Sequence, residues 1–245
     1  MLLVIKTIDM EIKQATRIQT SILNAAEKKA LVYLAERQPK WVTSDMLTFI
    51  GFIGALIIAA GFILSNININ FLWLSSFGLL VNWYGDSLDG TLARVRNTQR
   101  PVYGYYLDHT LDGINESLMF IGAGLSPFMK HPSLALGILV LYLLLTLNVS
   151  INAHLKGEFK LTYAKMGPTE FRLIIIIVNT LLIFIKPLAN LCLNLRIASL
   201  TLELGVLDIV AIAIIVLLLI IYLGNFYFDA RYYSMIDPKK DTKND

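Results

Sequence analysis

The chain has 245 residues, 56% of them hydrophobic, and a mean hydropathy of +0.63, against about 45–50% apolar residues in an ordinary soluble domain. That excess excludes a soluble globular protein and points to an all-α polytopic membrane protein. The net charge of +3 divides by side of a membrane, as shown below, so no nucleic-acid partner is implied, and the single cysteine, Cys192, excludes an internal disulfide.

In chain order, the opening MLLVIKTIDMEIKQ has a short apolar run but no basic region before it and no small-residue cleavage site. No cleavable signal peptide is therefore expected. Residues 22–37 place Ile22, Leu23, Ala26, Ala30, Leu31, Tyr33 and Leu34 near helical spacing, with Glu27, Lys28, Lys29 and Arg37 elsewhere. The pattern predicts an N-terminal amphipathic helix, lying at the cytoplasmic leaflet interface or packed on the rest of the protein. Pro39 then ends that helix, Trp41 can anchor at the headgroup level, and Thr43 or Ser44 can cap the next helix.

Six transmembrane helices are expected, over residues 46–65, 70–93, 104–127, 133–154, 171–193 and 205–228, each near the roughly 20 residues needed to cross a bilayer core. Cys192 reads as a small apolar residue near the end of the fifth. Gly51-x-x-Gly54 and Gly122-x-Gly124 offer surfaces for close helix packing. The organisation is thus a cytoplasmic N-terminal segment over 1–45, a six-helix membrane domain over 46–232, and a polar tail over 233–245 expected to be disordered.

Loop charge orients the six spans. Of the 21 Lys and Arg, Lys130, Lys186 and Arg196 fall on one side, and the rest lie in the N-terminal segment, the second and fourth loops, and the tail. Positive charge marks the cytoplasmic side. The expectation is a multi-pass integral membrane protein with both termini cytoplasmic, in the cell (inner) membrane if the source is prokaryotic.

Four aspartates share one frame: Asp86-x-x-Asp89-Gly90-x-x-Ala93-Arg94, nine residues, then Gly104-x-x-x-Asp108-x-x-x-Asp112. A carboxylate inside a membrane segment costs about 2.5–3.5 kcal/mol on insertion scales unless solvated, paired or metal-bound. Asp86 and Asp89 are three apart and Asp108 and Asp112 four apart, so each pair occupies one helix face. Measured from Gly104, Asp108 and Asp112 lie about 6 and 12 Å into their helix at 1.5 Å per residue. These facts predict a shallow, cytoplasm-facing polar site between two antiparallel helices. Oxygen-only donors favour Mg²⁺ or Mn²⁺, and four carboxylates suffice for two ions clamping a pyrophosphate. Gly90, Ala93 and Gly104 keep the site uncrowded, and Arg94 offers a bidentate fork for phosphate oxygens, or else a snorkelling cation at the interface.

This frame resembles the signature of the CDP-alcohol phosphotransferases, D-x2-D-G-x2-A-R-x8–9-G-x3-D-x3-D, at all eight fixed positions. The resemblance implies a membrane enzyme of phospholipid synthesis that displaces CMP from a CDP-alcohol by attack of an acceptor alcohol. It implies Asp86, Asp89, Asp108 and Asp112 as metal ligands, with Asp112 also the general base. Gly90, Ala93, Arg94 and Gly104 would contact or make room for the CDP moiety. The family commonly forms homodimers. Trp41-Val42-Thr43-Ser44-Asp45-x-x-Thr48 resembles the family's cytidine-side segment, with Ser44-Asp45 where Pro-Asn is common, and brings Thr48 into the substrate site.

Two branches of the family remain open at this level. CDP-diacylglycerol with a small alcohol is the expected one, because a chain of 245 residues and six spans is shorter than the eukaryotic members of the other branch and closer to the prokaryotic phosphatidyltransferases. The alternative, a CDP-amino alcohol with diacylglycerol, is hinted at by Asp108-His109-x-x-Asp112 and by Gly167-Pro168-Thr169-Glu170, which resemble stretches of choline and ethanolamine phosphotransferases. In that branch His109 shares proton transfer with Asp112; otherwise it is an interfacial histidine. Arg96, Arg100, Lys156, Lys165 and Arg172 are available for a phosphorylated acceptor, or serve as topology charges. A divalent-cation carrier built on the same aspartates is the non-enzyme alternative.

Overall fold

A computed structural model describes residues 16–18, 23–156, 158–160, 167–197 and 200–238. Its elements are β1 (Thr16–Ile18), α1 (Asn24–Glu36), α2 (Ser44–Leu64), a 3-10 turn (Ile69–Phe71), α3 (Leu72–Val95), α4 (Pro101–Gly124), α5 (Pro132–Lys156), β2 (Glu158–Lys160), α6 (Pro168–Phe184), α7 (Lys186–Ala189), β3 (Cys192–Ile197), β4 (Leu200–Gly205) and α8 (Val206–Ile236). The opening residues 1–15, Ile22, Lys165 and the tail from Lys239 onward lie outside the described residues.

The protein is all-α in its body, and a helix stands on each of the six expected segments. Among the described residues, α2, α5 and α8 are long and apolar enough to cross a bilayer by length and composition. In α3 and α4 the motif aspartates dilute the hydropathy, and α6, at 17 residues, is short. The surface agrees with lipid contact. Ile220 and Phe228 on α8 are 64% and 69% exposed, and beyond its first two turns α8 buries no residue. Such a continuous apolar surface marks a membrane or interaction face.

Thr43 accepts a hydrogen bond from the Met46 N–H at 3.2 Å and so caps α2, as the sequence indicates. Helices α2 and α3 form the closest pair. A Cβ on Gly54 would lie 2.6 Å from Asn82 Cα, and one on Gly122 of α4 would lie 2.6 Å from Ala59 Cα. Both small-residue seams therefore press against α2 or its neighbours as expected. Gly54→Ala is expected to destabilise the bundle by about 1–3 kcal/mol through overpacking against backbone, read as a lower unfolding temperature in detergent.

Helix α1 packs on the bundle. Leu31 and Ala35 join Val42, Leu47, Leu88 and Leu92 in one buried cluster, with Trp83 and Tyr84 against it. Arg96 donates to the carbonyls of Val42, Gln38 and Pro39 at 2.5, 2.8 and 2.9 Å, which fixes the α1–α2 linker under the end of α3.

Three expectations are corrected. The fifth segment does not run helical to residue 193. Helix α6 stops at Phe184, because Pro187 lacks an N–H and clashes with the preceding turn. The β3–β4 antiparallel hairpin follows, pairing Leu193 with Leu204 and Leu195 with Leu202. Cys192 opens that hairpin and is exposed rather than buried in a helix end. Helix α8 continues past residue 232 to Ile236, carried by contacts with α5. Lys156 Nζ pairs with Asp229 at 2.7 Å, Asn152 donates to Asp229 at 2.8 Å, and the Tyr233 hydroxyl donates to Asn152 at 2.8 Å.

Candidate active site

The site lies where the ends of α2, α3, α4 and α6 converge. Helix α3 packs on α2, α1 and α6, while α4 packs on α2 and α5. The two motif helices thus both lean on α2 and have little backbone contact with one another. Their carboxylates meet across the space between them.

Carboxylate oxygens of Asp86, Asp108 and Asp112 lie within 4.8 Å of one another, all three half-buried. The donors are all oxygen, with no His or Cys among them, which suits a hard cation. Two oxygens on one Mg²⁺ at about 2.1 Å are at most about 4.2 Å apart, so the spacing needs only small rotamer adjustment. The residues present fit Mg²⁺ or Mn²⁺.

Asp89 stands apart from that group. Its Oδ2 accepts from Thr48 Oγ1 at 2.6 Å, its carbonyl accepts from Ser44 Oγ at 2.8 Å, and its Oδ1 accepts from the Gly90 N–H. Two expected site residues from separate motifs, Thr48 and Asp89, are therefore in direct contact. Gly90 faces the Arg94 guanidinium, where a Cβ would lie 3.5 Å from Nη1, and a Cβ on Gly104 would meet nothing within 4 Å. Arg94 is exposed and donates to Thr91 Oγ1 at 2.9 Å; Ala93 beside it is half-buried.

His109 stacks on Tyr105, ring centroids 4.0 Å apart, with Nδ1 3.0 Å from the Tyr105 carbonyl and 3.9 Å from Asp108 Oδ2. It adjoins the carboxylate group without belonging to it. Arg100 pairs with Asp45 at 2.5 Å, and that hydrogen bond raises the guanidinium further above its ordinary pKa. Lys156 is committed to Asp229.

Arg172 reaches the motif aspartates from α6. Its Nη2 pairs with Asp86 Oδ2 at 2.5 Å and its Nε donates to Asn82 Oδ1 at 3.0 Å, with side-chain exposure of 12%. Asn82 in turn donates to the Gly51 carbonyl at 2.9 Å, so one polar chain runs from α2 through α3 to α6. The motif does not reveal Asn82 or Glu116. Asn82 precedes Asp86 by four residues, and Glu116, whose Oε2 is buried without a hydrogen-bond partner among the described residues, follows Asp112 by four. Extending each aspartate's helix face by one turn finds both.

Comparison with known proteins agrees with this site. A search of curated proteins returns no match. A family model, CDP-alcohol phosphatidyltransferase, matches residues 41–223, which include the aspartate frame and all six apolar segments but the end of the last. Members act on CDP-alcohol and alcohol substrates within membranes, typically depend on a divalent metal, and are transferases of substituted phosphate groups. With its frame complete and three of its aspartates drawn together, the chain belongs to the CDP-alcohol phosphatidyltransferase family.

Proposed function

We propose that the protein transfers a phosphatidyl group from CDP-diacylglycerol to a small acceptor alcohol and releases CMP, acting from the cytoplasmic face of a six-span membrane domain. The observation that carries this reading is the meeting of Asp86, Asp108 and Asp112 carboxylates in a chain of this family. Asp86, Asp108 and Asp112, with Asp89 as the fourth carboxylate, would hold Mg²⁺ or Mn²⁺, two ions in all. A metal held there would supply positive charge against the pyrophosphate and the departing CMP.

The chain's own residues supply the rest. Asp112, eight residues into α4 from Gly104, takes the proton of the attacking hydroxyl. Arg172, on Asp86, adds positive charge where the phosphate develops negative charge. Thr48 holds Asp89 from the cytidine side, and Gly90, Ala93 and Gly104 leave room for the nucleotide beside Arg94. The Lys and Arg of the N-terminal segment, the second and fourth loops and the tail support a cytoplasmic setting for both termini and the site, with α1 at the leaflet surface. A homodimer through membrane helices belongs to the same proposal.

The second reading takes a CDP-amino alcohol as donor and diacylglycerol as acceptor. It is favoured by His109, which stands 3.9 Å from Asp108 and could pass on the proton. One experiment separates the two. Purified protein with Mg²⁺ is given CDP-diacylglycerol plus a pool of small alcohols, or CDP-choline or CDP-ethanolamine plus diacylglycerol, and CMP is measured. Release confined to the first mixture is expected. Release confined to the second overturns the phosphatidyl reading in favour of the CDP-amino alcohol one.

A further inference from the structure

The Gly167–Glu170 turn and the N-terminal helix have so far no part in the chemistry, yet the structure joins them. Glu27 Oε1, in the first turn of α1, accepts from Trp83 Nε1 at 2.9 Å and from Thr169 Oγ1 at 2.5 Å. Trp83 lies three residues before Asp86 on α3, and Thr169 lies three residues before Arg172 on α6. Each donor is thus one helical turn from one member of the Asp86–Arg172 pair, on the same side of its helix. A second strut runs parallel. The Leu23 N–H donates to Glu170 Oε1 at 2.9 Å, and Glu170 Oε2 accepts from the Gly167 N–H at 2.9 Å.

We infer that Glu27 is a positioning residue of the phosphotransfer site: by bridging α3 and α6 it sets their spacing and so holds Arg172 on Asp86. Docking alone does not call for this carboxylate. Burial of Leu31 and Ala35 against Leu88 and Leu92 already seats α1. A single oxygen shared by donors on two helices does something burial cannot, because hydrogen bonds are directional and apolar contact is not. The inference makes α1 a part of the active site at one remove, and it rests on the function proposed above only for its kinetic readout.

The test uses the full chain in lipid nanodiscs with Glu27→Ala, Glu27→Gln and Thr169→Val. Misplacing Arg172 is expected to lower kcat for CMP release roughly ten- to a hundredfold in Glu27→Ala and in Thr169→Val, with KM for the CDP-alcohol unchanged. Glu27→Gln keeps an oxygen with two lone pairs and stays near wild type. The Glu27→Ala, Thr169→Val double variant is no slower than either single, since both cut one bridge. Spin labels on Leu80→Cys and Ile174→Cys, in a Cys192→Ser background, read the α3–α6 distance without substrate. That distribution broadens with Glu27→Ala and not with Glu27→Gln. An unchanged distribution in Glu27→Ala overturns the inference, as does equal broadening in Glu27→Gln. Absence of CMP release by the wild type would sink the proposed function alone, leaving the distances to decide on Glu27.

Discussion

Asp112→Asn is expected to lower CMP release by about 10²–10⁴-fold, the usual contribution of a positioned general base. The amide is isosteric and keeps one acceptor oxygen toward the group it forms with Asp86 and Asp108. It cannot accept the hydroxyl proton at neutral pH. Nucleotide and metal binding should therefore persist while turnover fails, a loss in kcat rather than in KM. Mn²⁺ binding followed by electron paramagnetic resonance on the same variant separates this from simple loss of the ion. Wild-type turnover in Asp112→Asn would remove Asp112 from the base role.

Asp86→Ala combines a loss of function with a loss of stability. It takes one carboxylate from the cluster and strands Arg172, whose side chain is 12% exposed and otherwise bonded to Asn82. Breaking one side of a largely buried pair costs about 3–5 kcal/mol, because an uncompensated charge is left behind. We expect no measurable CMP release and a clearly lower unfolding temperature in detergent. Adding Arg172→Met to Asp86→Ala should restore much of the stability, since an apolar side chain needs no partner. Activity should stay absent. If Asp86→Ala unfolds like the wild type, the 2.5 Å pair does not carry the structural weight given to it here.

How far the sequence could be read differs between fold and site. The helices were legible because apolar runs of about 20 residues are strong signals, and of the two candidate caps, Thr43 and Ser44, Thr43 takes the role. The end of α6 was harder, as Pro187 sits inside an apolar run that hydropathy alone carries through. The β3–β4 hairpin could have been seen in the alternation of Leu193, Leu195 and Ile197, answered by Leu200, Leu202 and Leu204. A six-residue apolar alternation beside a membrane segment is easily absorbed into the segment.

Within the site, spacing placed Asp108 and Asp112 on one face and brought both to Asp86. It did not show that both motif helices pack on α2 more than on each other, because packing partners are set by tertiary contacts such as Gly54 on Asn82. Nor could it choose Arg172 from five candidate cations, since a topology charge and a site charge look alike until their neighbours are known. Arg100 and Lys156 proved to be paired elsewhere, with Asp45 and Asp229. Glu27 carried no sequence signal beyond a polar position on an amphipathic helix.

The central claim is metal-assisted release of CMP from a CDP-alcohol at the aspartate cluster. Its most direct test is CMP production by the purified protein in nanodiscs with CDP-diacylglycerol and the alcohol pool, in Mg²⁺, after chelation, and after Mg²⁺ or Mn²⁺ is restored. On that claim, release should stop with the chelator, return with either ion, and stay lower by about 10²–10⁴-fold in Asp112→Asn throughout. Release that survives chelation would contradict it, and so would silence with every CDP-alcohol from protein that moves Mg²⁺ across vesicles, the behaviour of a carrier.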